Sequence, residues 1–172
     1  MSDPAQRANT PFDRVVDPWE RVIDEMHATA ERHREDGKRV IECHPGDVAT
    51  LTGDPRTAAA STGDIEPDRR VGLDAVLPGS EFEAVQAVLR DRNPDRVEVF
   101  RARGNGLVFL LLSLSCGDSV VLLPLYYERE DADALRSIAR DGGFPVHVRP
   151  LTDGERVRVT VDDPELCVPS RS

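Results

Sequence analysis

A chain of 172 residues suits one domain and is long enough to bury a core without disulfide or metal staples. Its net charge of −10 and pI near 4.9 exclude the positive footprint needed for general nucleic-acid binding or for attachment to an acidic membrane surface. Cys43, Cys116 and Cys167 are odd in number and widely spaced, so neither a disulfide framework nor a paired-cysteine zinc motif can be drawn.

Residues 1–16 are polar, show no periodicity and contain no apolar stretch of a secretory signal; they read as a mobile lead-in. Asp17-Pro18-Trp19-Glu20 then announces a helix, with an Asp cap, a Pro in the first turn and a Glu three residues after the cap. Trp19, Val22, Ile23, Met26 and Ala30 recur at helical spacing up to the stop at Gly37, which predicts a helix over 18–36. Residues 39–43 predict a short strand that enters the turn His44-Pro45-Gly46-Asp47, and 48–52 a second one. Residues 53–70 are rich in Pro, Gly, Asp, Ser, Thr and Ala and read as an exposed loop or insertion, with a helical turn over 55–60. Val71, Leu73, Ala75 and Leu77 alternate as a strand. Ser80 and Glu83 form a capping box for a helix over 81–92, with Phe82, Val85, Val88 and Leu89 as its apolar stripe and Asn93-Pro94 as its end.

Residues 96–127 predict a three-strand antiparallel meander. Its first turn is Gly104-Asn105-Gly106, whose residue types suit a type I′ turn. The second lies at Cys116-Gly117-Asp118, with the two-residue loop left open between Cys116-Gly117 and Gly117-Asp118. Leu107 to Leu112 is apolar at both parities, so that strand should be covered on both faces, or on one face by helices and on the other by a partner. Pro124 lacks the amide a central strand donates, which places the Val120–Tyr127 strand at an edge or a bulge. A third helix over 130–141, strands at 144–149 and 157–161, and a tail at 162–172 complete the chain. The expectation is a single α+β domain over 17–161, with a mostly antiparallel sheet centred on the meander and packed by three helices. The apolar run is interrupted by Ser113 to Ser119 and by Pro124, so it predicts no membrane span.

Candidate chemistry is sparse. Cys43-His44 lies where a strand meets a turn, which suits a thiolate activated by histidine, but neighbouring strand residues point to opposite faces and no third orienting group is evident. Gly117-Asp118-Ser119 resembles the serine block of the Gly-Asp-Ser-Leu esterases and lipases. Val120 stands in the fourth place, however, and no Asp-x-x-His block follows near the C-terminus. His27 and His33 are six residues apart on one helix, the wrong spacing for a helical metal pair, and no Gly-rich phosphate loop precedes a helix. Arg101, Arg103, Arg149, Arg156 and Arg158 could meet on a sheet face to take an anion, although with 32 acids in the chain salt bridging is the simpler reading. No catalytic residue, metal ligand or cofactor is assigned; Cys43, His44, Asp47, Tyr126 and Tyr127 are the candidate binding residues.

High acid content, few aromatics and Lys38 as the one lysine resemble the composition of cytoplasmic proteins from extreme halophiles. The element order resembles the profilin-like or roadblock-like layout of small dimerising modules. From the second helix to residue 149 it also resembles the core of restriction-endonuclease-like nucleases, but residues 107–127 hold Asp118 as their one acid and no Lys, against the metal site such a nuclease needs. His44-Pro45-Gly46-Asp47-Val48 and Leu123-Pro124-Leu125-Tyr126-Tyr127, with the pattern up to Arg149-Pro150-Leu151, resemble a family of uncharacterised haloarchaeal domains over residues 18–166. That resemblance implies compartment and fold and carries no activity. The functional expectation is a non-catalytic cytoplasmic interaction or regulatory domain that meets a protein partner or a second copy through the Val120–Tyr127 strand. The alternative is a small-molecule domain or enzyme using the Cys43, His44 and Asp47 turn.

Overall fold

The computed structural model describes residues 11–52, 71–89, 92–140, 142–152 and 156–168; the expected lead-in before residue 11 and the 53–70 insertion lie outside them. Among the described residues, eight strands form two four-stranded sheets. The first has the order β1 (Arg39–Glu42), β6 (Ser119–Glu128), β5 (Leu107–Cys116), β4 (Arg96–Gly104). The second has the order β2 (Asp47–Thr52), β3 (Val71–Leu77), β7 (Phe144–Pro150), β8 (Val157–Val161). The α-helices of the described residues are α1 (Pro11–Glu35), α2 (Gly79–Leu89) and α3 (Ala132–Ala139).

The meander β4-β5-β6 is antiparallel throughout, as its turn residues predict. Asn105 and Gly106 have φ of 56° and 82°, the two positive values of a type I′ turn. Pairing of Cys116 with Ser119 makes Gly117-Asp118 the second loop, with Gly117 at φ 59° as a type II′ turn requires of its first central residue. Both sheets are nevertheless mixed, because β1 runs parallel to β6 and β3 parallel to β7. A parallel pair needs a long crossover, and here the connection from β3 to β7 carries α2, the whole meander and α3.

The middle strand β5 is covered on both faces. Leu107, Phe109 and Leu111 pack under Val22, Met26 and Ala30 of α1 with Val120 and Leu122. Val108, Leu110, Leu112 and Leu114 face the larger core, which they share with Leu73, Ala75 and Leu77 of β3, Val146 and Val148 of β7, Phe82 and Val85 of α2, and Leu135 of α3. Burying a side chain of this size contributes about 1.5–3 kcal/mol, so this two-sided strand is the main source of cohesion.

Four expectations change. First, α1 begins at Pro11, upstream of the Asp17 cap: Pro is tolerated at a first helical position, and Pro18 sits inside the helix, packed so close to β4 that a Cβ on Gly104 would come within 2.8 Å of its Cγ. Second, α2 begins at Gly79, ahead of its expected start at 81, and α3 starts later than its sequence pattern because Arg129–Asp131 forms a 3₁₀ turn ahead of it. Third, β6 is an inner strand. Pro124 fits there because β1 pairs β6 over Ser119 to Leu122 and stops, so no β1 residue stands opposite the proline to require its missing amide. Fourth, the expected tail is packed: a 3₁₀ turn at Pro164–Leu166 leads into Cys167 and Val168, both in the larger core.

Candidate functional site

The expected turn does not assemble into one site. Cys43 is fully buried in the larger core, and burial, helped by the charge of Glu81, holds its thiol far above the ordinary range. His44 is exposed and gripped at two points by Glu81 in the first turn of α2: its backbone N–H donates to Oε1 at 2.6 Å, and Nδ1 lies 2.9 Å from Oε2. The Gly46 amide donates to the Val76 carbonyl at 2.9 Å, fastening the turn to β3. These contacts join helix, turn and sheet, with the thiol on the core side and the imidazole on the solvent side.

Tyr126 and Tyr127 part in the same way, as adjacent strand residues must. Tyr126 is half-buried under α1, edge-on to Trp19 at 5.7 Å and 6.1 Å from Phe109 between ring centroids. Burial raises its hydroxyl pKa, and the charges of Asp47 and Glu128 add to the shift. Tyr127 is buried in the opposite core, donating its hydroxyl to the Cys167 carbonyl at 2.9 Å. Of the expected residues, Asp47 and Tyr126 are brought near each other, where β2 meets β6.

A denser polar constellation lies on the face of the second sheet that looks away from the core. Strand register lines up Ala49, Asp74, His147 and Arg158 as cross-strand partners, with Asp47, Val76 and Arg149 in the next row. Arg156 precedes β8 and shares the parity of Arg158, so it belongs to the same face. Their neighbours Leu73, Ala75, Val146, Val148, Val157 and Val159 fill the core side of the same three strands.

Asp74 is the centre of this face. Its side chain is 6% exposed, and its Oδ2 accepts a hydrogen bond from Arg149 Nε at 2.9 Å. Its Oδ1 accepts no hydrogen bond; Arg156 Nη1 stands 3.6 Å from it. His147 is also buried, and its Nε2 lies 3.0 Å from the Val71 carbonyl, which can only accept, so that nitrogen carries the proton. An uncompensated buried carboxylate costs several kcal/mol, and the two guanidiniums are what make Asp74 tolerable there.

The sequence pattern marks Asp74 only as a polar position in an alternating strand. The arginine set was visible, but the structure divides it. Arg101 donates to the Glu165 carbonyl at 2.8 Å on the first sheet, whereas Arg149, Arg156 and Arg158 gather on the second. The latter three sit on adjacent antiparallel strands, and what brings Asp74 to them is the parallel pairing of β3 with β7, which no local pattern encodes.

Chemically, this face holds and presents charge. Among the described residues no group of three or more His, Cys, Asp and Glu side chains could hold a metal ion. No described helix is long and apolar enough to cross a membrane. No curated protein and no solved structure matches the chain. A family model does match, over residues 5–169, almost the whole of the two-sheet unit with all its strands and helices. The chain therefore belongs to DUF7529, a family of unknown function.

Proposed function

We propose that this protein is a non-catalytic cytoplasmic interaction domain of a halophilic archaeon, acting by pairing with a protein partner or with a second copy of itself. One observation carries the reading: β4 is a nine-residue strand that, among the described residues, stands at the edge of its sheet and pairs with β5 alone, with Phe100 40% exposed on it. A long edge with an exposed aromatic is a template for an added strand, in which main-chain hydrogen bonds give affinity and side chains select the partner. The Val120–Tyr127 strand contributes from the same sheet through Tyr126, its half-exposed ring beside Trp19. The acidic, lysine-poor composition supports the halophilic assignment, since carboxylates keep a surface hydrated in concentrated salt.

Light scattering after size exclusion in molar KCl tests this. The expected result is a dimer, or a complex with a captured partner, that Phe100→Glu reduces to monomer without loss of fold. A wild-type chain that stays monomeric at high concentration and binds nothing through β4 removes the reading.

A further inference from the structure

We propose that the outer face of β3, β7 and β8 is a binding site for a phosphoryl group, taken by Arg149, Arg156 and Arg158 with Asp74 as the residue that positions the guanidiniums. Self-association through β4 neither requires nor supplies this site, which lies on the other sheet.

The argument starts from charge. In a chain of net charge −10, Arg149 and Arg156 both stand against the Asp74 carboxylate and Arg158 adds a third positive charge to a face that also carries Asp47, leaving a local excess of positive charge where random placement would leave a deficit. If the arginines served only to neutralise Asp74, one bidentate partner would suffice. Instead Arg149 engages Oδ2 through Nε alone, which leaves its two terminal nitrogens outside that hydrogen bond. Arg156 halts 3.6 Å from an Oδ1 that no other donor satisfies, so it pairs with Asp74 without a hydrogen bond to it. Arg158 is exposed and has no ion-pair partner among the described residues, although it stands directly across from His147.

Geometry then selects the ligand. Arg149, Arg156 and Arg158 occupy neighbouring positions of two paired strands, about 5–7 Å apart at their bases, so their planar forks can converge on one tetrahedral anion. A phosphoryl group offers three acceptor oxygens to these forks, whereas a monocarboxylate offers two. Asp74 repels an anion by itself. Buried behind the arginines, it fixes Arg149 through the Nε contact and so removes part of the entropic cost of ordering a long side chain.

The test uses the full chain and inorganic phosphate as the probe, followed by phosphorus NMR line broadening at constant ionic strength, with acetate as competitor. Saturable binding is expected, at least five-fold weaker in Arg158→Ala and in Arg156→Ala and unchanged in Arg96→Ala, an exposed arginine on the other sheet. Acetate at equal concentration should displace little phosphate. Arg158→Gln guards against a folding defect in the alanine variant, and circular dichroism is recorded for each protein. Non-saturable broadening, equal weakening in Arg96→Ala, or displacement by acetate as effective as by phosphate overturns the proposal.

Discussion

The hydroxyl of Tyr127 donates to the backbone carbonyl of Cys167 at 2.9 Å, tying an inner strand of the first sheet to the segment that follows β8. This bond makes residues 162–168 part of the folded unit. Tyr127→Phe should therefore destabilise the protein by about 1 kcal/mol at pH 8, the net contribution of one such bond plus the unsatisfied carbonyl left behind. Burial, and next the neighbouring Cys167, push the Tyr127 hydroxyl up to about 12, with Arg101, Arg136 and Arg103 pulling the other way. In the unfolded chain the same group titrates near pH 10, so it binds its proton more tightly when folded. Its contribution is complete below about pH 10 and is lost as pH rises toward 12. Urea denaturation of wild type and Tyr127→Phe should show the gap at pH 8 shrinking by pH 11.5; a constant gap would mean that the buried phenol is not what separates them.

Gly72 should be irreplaceable. Its φ is +107°, and a Cβ there would meet the carbonyl oxygen of Pro145 at 2.0 Å, a backbone atom that cannot move without parting β3 from β7. Gly72→Ala is expected to cost about 3 kcal/mol or more, from strain at positive φ together with the clash. Thermal unfolding gives the answer directly, and a melting temperature within a degree or two of wild type contradicts it.

Much of this fold was legible in the sequence because its signals are local. Alternation, continuous apolar runs and turn residues located all eight strands to within a residue or two, and the positive φ values of Asn105, Gly106 and Gly117 fit the two meander turns. What stayed hidden depends on pairing at a distance. Val71, Leu73 and Ala75 read identically whether β3 is parallel or antiparallel to its neighbour, so neither the mixed sheets nor the meeting of Asp74 with Arg149 could be read from them. Pro124 misled for a related reason: proline forbids a donor at one point, and the strand β1 that should have needed that donor simply ends first.

All three thiols should be silent in the native protein. Cys43, Cys116 and Cys167 are buried, and burial raises each thiol pKa, for Cys167 to about 12, so almost no thiolate exists near neutrality. A disulfide reagent such as dithiobis(nitrobenzoate) at pH 8 should label none of them within minutes and all of them in guanidinium chloride. Rapid labelling of Cys43 in the folded chain would revive the idea of an activated thiol beside His44.

Glu42 should respond to both acid and salt. It joins β1 to α1 by taking His27 Nδ1 at 2.6 Å and Arg34 Nη2 at 2.9 Å. Burial alone would raise its pKa, but the hydrogen bonds and charges of Arg34 and His27 outweigh burial and lower it. A depressed folded pKa means stability that is present above the ordinary carboxylate range and lost as pH falls through the folded value. Because the basic partners are about half exposed, Glu42→Gln is expected to cost only about 0.5–1 kcal/mol at pH 7 in low salt, and less in molar KCl. A penalty that grows with salt would show that the clasp is not electrostatic.

Asp74 and Arg149 should be strongly coupled. Removing the carboxylate with Asp74→Asn leaves Arg149 and Arg156 facing each other without their shared counter-charge, and removing Arg149 with Arg149→Met strands a carboxylate that is 6% exposed. Breaking a buried pair from one side costs about 3–5 kcal/mol, so each single variant should fall near that range, with Asp74→Asn milder because Asn still accepts from Arg149 Nε. The double variant removes both charges at once and should be less damaging than the sum by about 1–3 kcal/mol. A double-mutant cycle by urea denaturation measures this coupling. Strict additivity would mean that the 2.9 Å contact contributes nothing beyond its separate parts, and the compensation argued for Asp74 would then have to come from elsewhere on the sheet.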